Sequence, residues 1–297
     1  MNGINGGQVK SILGNLNREK EFLWLMRLEW NVPVKINRKG DEVLDISKIG
    51  DVTDYIVNHW EYEVCRDVLR DMYVLTDKYK NGQNAKENFK IFQEMYREDG
   101  YTNYEYPFVA NNYDGFSMTE MIYPTINHPE LFRGRYHNVV SPKILKQFYL
   151  KTFGILRNDY IEYLMFNGNI DVIPTFGKKK GLDFFINWEG FDQKVSRSVT
   201  NQFKKYYGDN WRGDAIGDPY EVCKYLMMYG DEARFSNVPR LFVIDIDGNY
   251  DLNGIEDIVS NVNFDSPRVV DYVYNHKSTG NTKYSCKVIC ILLTNLT

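Results

Sequence analysis

The residues best suited to chemistry lie in one short stretch, Asp183-Phe-Phe-Ile-Asn-Trp-Glu-Gly-Phe-Asp192-Gln-Lys194. Two β-rich runs, Leu182–Ile186 and Phe191–Val195, flank Asn187-Trp-Glu-Gly190, which reads as a hairpin turn. A turn over 187–190 pairs Ile186 with Phe191, Phe185 with Asp192 and Asp183 with Lys194. Paired residues share a face, and faces alternate along a strand. The hairpin then sorts into a charged face of Asp183, Phe185, Asp192 and Lys194, and a mostly apolar face of Phe184, Ile186, Phe191, Gln193 and Val195. A slip of a single residue would send Asp183 to the face opposite Asp192 and Lys194. Neighbouring carboxylates repel and raise each other's pKa unless a cation sits between them. Hard oxygen donors at such spacing suit Mg²⁺, which takes one or two carboxylates together with water and phosphate oxygens. An adjacent ammonium orients or deprotonates a water, or stabilises charge at phosphorus. Acids, metal and lysine together are a kit for phosphodiester hydrolysis. The same pattern also arises in a surface hairpin whose lysine makes cross-strand ion pairs.

The elements that must position this hairpin follow from patterning. Ser141-Pro142 opens a long helix, with serine as N-cap and proline in the first turn, and Gly168 stops it after Phe166. Ile170–Pro174 reads as a short strand. After the hairpin, Thr200–Tyr207 and Pro219–Tyr229 read as helices, Leu241–Ile246 as a buried strand and Lys287–Thr294 as another, with Pro267–Asn275 open to either state. That order gives an α/β fold with a mixed central sheet flanked by helices. The first part reads as helical, over Gln8–Trp30 (ended by Pro33), Asp51–Leu75 and Ala85–Arg97. Gly100–Val140 is rich in Asn, Tyr, Gly and Pro without clear period, so it is either a binding loop or arm, or helix and strand that the pattern conceals. The division expected is a helical region over 1–140 and a core over 141–297.

Composition bounds the class. The chain has 297 residues, 43% hydrophobic and 26% charged, with a net charge of −4. It is long enough for a full core and is neither disordered nor histone-like. Local charge is another matter. Between Gly177 and Trp211 the cations Lys178, Lys179, Lys180, Lys194, Arg197, Lys204 and Lys205 outnumber Asp183, Glu189, Asp192 and Asp209. The cysteines Cys65, Cys223, Cys286 and Cys290 form no C-x-x-C, and His59, His128, His137 and His276 are scattered, which speaks against a disulfide scaffold or a zinc site. The longest apolar run, Val288–Leu293, is too short to span a bilayer, and the N-terminal residues lack a secretory pattern, so a cytoplasmic protein with no membrane partner is expected. Phosphate-loop, dinucleotide-binding and nucleophile-elbow motifs are missing. Asp245-Ile-Asp-Gly-Asn-Tyr-Asp251 hints at a calcium loop but has Tyr250 where an EF-hand needs glycine. The tyrosines between Tyr101 and Tyr123 could stack on bases or simply fill a half-buried loop.

Asp183 followed by Asp192-Gln193-Lys194 on the next strand resembles the PD-(D/E)xK nucleases, and type II restriction endonucleases in particular. Asp192-Gln193-Lys194 is the only acid-x-Lys in the chain. It falls in a hairpin between a long helix and a further helix and strands, an order similar to the αβββαβ core of that family. The run Gly181-Leu-Asp-Phe-Phe…Gly190-Phe-Asp-Gln-Lys-Val-Ser-Arg-Ser-Val199 is also similar to restriction-enzyme homologues; Leu182 stands where the motif has proline. The resemblance covers roughly Ser141 to the C-terminus. It implies Asp183 and Asp192 as metal ligands, the Gln193 carbonyl as a further ligand, and Lys194 at the scissile phosphate or attacking water. Glu162 on the preceding helix would be a further acid at the metal, with Asp159 the competing choice. Ser196, Arg197 and Ser198 are candidates for phosphate contacts on DNA, although Ser198 or Thr200 could instead cap the helix that follows. The activity implied is Mg²⁺-dependent, site-specific hydrolysis of double-stranded DNA by a homodimer. Another nuclease of the superfamily, in repair, transposition or CRISPR adaptation, or a non-catalytic DNA-binding protein of this fold, is the alternative.

Overall fold

The computed structural model describes residues 35–38, 42–45 and 66–294, except 68–69, 71–72, 75, 106, 108–111, 114–115, 180–181, 188, 231–237, 249–251 and 277–279. Strands β1 (Lys35–Arg38) and β2 (Glu42–Asp45) pair antiparallel, within the region expected to be helical. The helix expected over 8–30 lies outside the described residues, as does most of that over 51–75. The chain forms two compact units, one of residues 1–76, 166–247 and 257–297 and a second of 77–165 and 248–256. A boundary at residue 140 lies inside the second.

The second unit is mainly helical. It contains α1 (Asp77–Glu98), the short pair β3 (Asn112–Tyr113) and β4 (Phe116–Ser117), α2 (Met118–Ile122), α3 (Pro129–Tyr136) and most of α4 (Pro142–Gly168). Helix α1 begins at Asp77, well before the Ala85 start expected from sequence. The weak periodicity over 100–140 has a simple cause, since its helices are only 5 and 8 residues long. Tyr101 and Tyr104 pack their rings on Tyr96, centroids 4.9 and 5.8 Å away, beside Tyr149 and Phe153. These tyrosines thus build an aromatic core. Helices α1 and α4 approach closely at Gly82, where a Cβ would meet the Asp159 carbonyl oxygen at 2.7 Å.

The first unit holds a six-stranded mixed sheet in the order β5 (Val172–Lys179), β6 (Leu182–Ile186), β7 (Glu189–Ser196), β8 (Arg240–Asp245), β10 (Gly280–Leu293) and β9 (Arg268–His276). Strand β6 is antiparallel to both β5 and β7, β8 runs parallel to β7 and to β10, and β9 is antiparallel to β10. The ambiguous 267–275 segment is therefore a strand, hairpinned to β10. Pro174 is tolerated because β5 is an edge, where one backbone donor is dispensable. The β7-to-β8 crossover carries α5 (Asn201–Tyr207), α6 (Trp211–Gly217) and α7 (Pro219–Tyr229); α8 (Ile255–Ser260) follows β8. Phe203, Val222, Cys223 and Leu226 from these crossover helices cluster with Phe242, Ile244, Cys286 and Val288 of the sheet. All six residues of β8 are buried, as befits a central strand covered on both faces.

The end of α4 is fixed by an arginine far away in sequence. The Arg70 guanidinium donates to the carbonyls of Phe166, Asn169, Ile170 and Val172 and lies 3.9 Å over the Phe166 ring. It satisfies carbonyls that a helix end leaves without partners and sets the entry into β5. Among the described residues, no helix is long and apolar enough to cross a membrane.

Candidate functional site

The hairpin turn is tighter than the four-residue turn expected. Ile186 pairs with Glu189, Phe185 with Gly190 and Phe184 with Phe191, so residues 187–188 make the loop and Asn187 takes a left-handed φ of 49°. A two-residue hairpin loop needs positive φ, and asparagine accepts it readily. The register is therefore shifted by two residues from the one expected. An even shift preserves faces, so Phe185 keeps the face of Asp192 and Lys194, and continuing the register would set Asp183 opposite Asp192. The expected contrast between a charged and an apolar face is not what the structure shows. Phe185 is as fully buried as Phe184, Phe191 and Ile186, and Asp192 is only 5% exposed. The hairpin lies within the sheet, not at the surface.

The β6–β7 ladder stops at Phe184 opposite Phe191, one pair short of the two acids. Beyond it the strands part. The Asp183 Oδ2 accepts the Gln193 backbone N–H at 2.7 Å, closing the fork with a side chain where the ladder would have used a carbonyl. On its other edge β7 pairs with β8, and the Asp192 N–H donates to the Pro239 carbonyl at 3.0 Å. The N–H and C=O of one strand residue leave on the same side, so the Gln193 carbonyl faces the Asp183 side of the fork.

Asp192 is held by two cations. Lys194 Nζ lies 2.9 Å from its Oδ1, and Arg240 Nη1 pairs with its Oδ2. The β7–β8 register dictates the second contact, because Asp192 is aligned with Arg240 and aligned residues share a face. Arg240 is 4% exposed. Burial pulls its pKa below the ordinary arginine value, and Cys286, Tyr272 and Asp183 act in the opposite direction. The fork thus gathers two carboxylates, an ammonium and a guanidinium, formally neutral as a set. Arg240 was not foreseen from sequence. The available signal is a charged residue opening an otherwise apolar buried run, Arg240-Leu-Phe-Val-Ile.

The other expected residues are placed as follows. Glu162 is in the second unit, 6% exposed, and its Oε1 is 2.8 Å from Lys78 Nζ. The Ser196 hydroxyl donates to the Ser198 carbonyl at 2.7 Å, shaping the turn after β7. Thr200 is the cap of α5, its side chain accepting the Phe203 N–H at 3.1 Å. Arg197 is exposed. The side chains of Lys178 and Lys179, and all of Lys180, lie outside the described residues. Asp247 of the calcium-like turn is paired with Arg212 at 2.9 Å.

Two carboxylates and a backbone carbonyl are the hard oxygen donors that Mg²⁺ accepts, the rest of its shell being water or phosphate oxygen. In chemical type they fit such an ion. Among the described residues no three His, Cys, Asp or Glu side chains group as a metal site. No family model matches the chain, and no curated protein or solved structure is similar enough to match it.

Proposed function

We propose that this protein is a Mg²⁺-dependent endodeoxyribonuclease of the PD-(D/E)xK type, acting as a type II restriction endonuclease on double-stranded DNA. The observation that carries the reading is the fork itself: where β6 and β7 part, the Asp183 carboxylate accepts the N–H of Gln193, the residue after Asp192, and Lys194 lies beside Asp192. The order helix, three antiparallel strands, helices and a strand parallel to the third adds support.

In this reading Asp183, Asp192 and the Gln193 carbonyl would hold the ion. The chemistry a bound divalent cation supplies is stabilisation of charge on the phosphate and a lowered pKa for water. Lys194 positions the attacking water or balances charge on the phosphorus, and Arg197 contacts a backbone phosphate. Water attacks in line, leaving 5′-phosphate and 3′-hydroxyl ends. Base reading and pairing of two copies fall to the parts outside the sheet, two-fold symmetry matching a palindromic site.

The neutral balance of the fork favours a second reading, a non-catalytic DNA-binding protein in which Asp192, Lys194 and Arg240 are a structural ion cluster. Incubation with unmethylated phage DNA separates the two. Discrete bands that require Mg²⁺ and vanish in EDTA support the restriction enzyme, and sequencing their ends gives the site. A Mg²⁺-dependent smear indicates a repair-type nuclease, and intact DNA with Mg²⁺ or Mn²⁺ supports the binding protein.

A further inference from the structure

The buried guanidinium at the fork has no part in the chemistry above, yet it occupies one oxygen of a proposed metal ligand. We propose that Arg240 is a built-in competitor for the divalent cation: without metal it holds the Asp192 carboxylate, and the ion binds only by taking that carboxylate from it. The inference rests on the metal-dependent reading of the fork and adds to it a residue that sets metal affinity.

Three observations carry it. First, Asp192 has one oxygen on Lys194 and the other on Arg240, so the carboxylate meets cations at both oxygens. Second, the contact is built into the backbone. Asp192 and Arg240 are aligned on adjacent parallel strands, and the Asp192 N–H bonds the carbonyl preceding Arg240, so the two Cα positions cannot separate without breaking the centre of the sheet. Only a side-chain movement can break the contact. Third, Arg240 is 4% exposed, so its charge has no bulk water to screen it from the ion that displaces it.

Charge balance gives the direction of the effect. Asp183 and Asp192 carry two negative charges, and Lys194 and Arg240 carry two positive ones. A divalent cation leaves the fork with surplus positive charge at close range, which disfavours metal binding to the protein alone. Removing the arginine charge removes half of the resident positive charge and frees Asp192 Oδ2. Metal affinity then rises even though a buried ion pair has been lost.

The test is Mn²⁺ binding by titration calorimetry on the full chain, without DNA, for wild type, Arg240→Gln and Arg240→Lys. Arg240→Met replaces the glutamine variant if near-UV circular dichroism shows that the latter does not fold. The expected result is that the uncharged variant binds Mn²⁺ about tenfold more tightly than wild type or better, by relief of close-range repulsion. The lysine variant, which keeps the charge, should stay within about threefold of wild type on the same grounds. Equal or weaker binding by the uncharged variant, with wild type binding normally, overturns the competitor role and leaves the nuclease reading standing. Tightening of the lysine variant to the level of the uncharged one also overturns it, since charge would not be the cause. Failure of every variant and of wild type to bind Mn²⁺ overturns both the competitor role and the metal-dependent reading.

Discussion

Exchange of Asp192 for asparagine takes from a buried arginine the carboxylate it pairs with. The arginine left behind, Arg240, is 4% exposed. A buried charge that loses its partner costs about 3 kcal/mol or more. Asp192→Asn should therefore lower thermal stability markedly as well as abolish cleavage. Lys194→Ala leaves the arginine pair intact, and loss of the Lys194–Asp192 charge-assisted hydrogen bond costs about 1.5–3 kcal/mol. It should keep the fold while losing about a hundredfold or more of the cleavage rate. Thermal melts beside single-turnover rates separate the two substitutions; equal melting temperatures for them would contradict the burial of the Arg240–Asp192 pair. The thiols offer a second check on burial. Desolvation pushes the Cys286 thiol up to about 11 and the Cys223 thiol well above its usual value. The thiolate is the reactive form, so alkylation at pH 8.5 should leave both unmodified in the folded protein and label both after denaturation, as read by peptide mapping.

At the scale of elements, the hairpin shows what was legible in the sequence and what was not. Alternation of polar and apolar residues identified the two strands. Alternation has a period of two, so it is blind to a shift of two residues, and the observed register differs from the expected one by that amount. Turn chemistry decided it: Asn187 supplies the positive φ of a two-residue loop. Asn187→Gly should be nearly neutral, whereas Asn187→Val should cost about 1–2 kcal/mol, because a β-branched residue is strained there. Urea midpoints would show the difference, and equal midpoints would place the loop elsewhere. Strand β10 was expected only from Lys287 because its first half, Gly280–Cys286, alternates polar residues along an exposed hairpin. In the second unit, Glu256 pairs with Lys86 of α1 and accepts from the Tyr160 hydroxyl of α4 at 2.6 Å. Burial raises the Glu256 pKa, but the Lys86 and Tyr160 hydrogen bonds more than reverse this and leave it below the ordinary value. A depressed carboxyl pKa contributes stability above the unfolded value that is lost as pH falls through the folded one. The stability difference between wild type and Glu256→Gln should thus be present at pH 7, under about 1 kcal/mol for so exposed a pair, and shrink as pH falls through the depressed folded value. A difference that does not shrink with acidification would contradict this.

At the scale of the molecule, a mixed sheet flanked by helices was legible from element order, since each element carries its own period and punctuation. The partner of Asp192 was not, because strand adjacency between β7 and β8 is a long-range property. Between them lie three α-helices among the described residues, and no local pattern says which residue of β8 will align with Asp192. A two-fold assembly is expected of an enzyme that cuts both strands of a symmetric site. Sedimentation on a cleavable duplex should give about twice the chain mass of 35.0 kDa for the protein component. A strict monomer on DNA would remove the dimeric part of the proposal without touching the fork. The most direct test of the fork is cleavage of unmethylated phage DNA by wild type, Asp183→Asn and Lys194→Ala, each shown to be folded, in Mg²⁺ and in EDTA. The expected result is discrete fragments from wild type in Mg²⁺ alone and intact DNA in every other lane. Fragments from Lys194→Ala or Asp183→Asn at the wild-type rate, or intact DNA from wild type in Mg²⁺, would contradict a catalytic role for the fork.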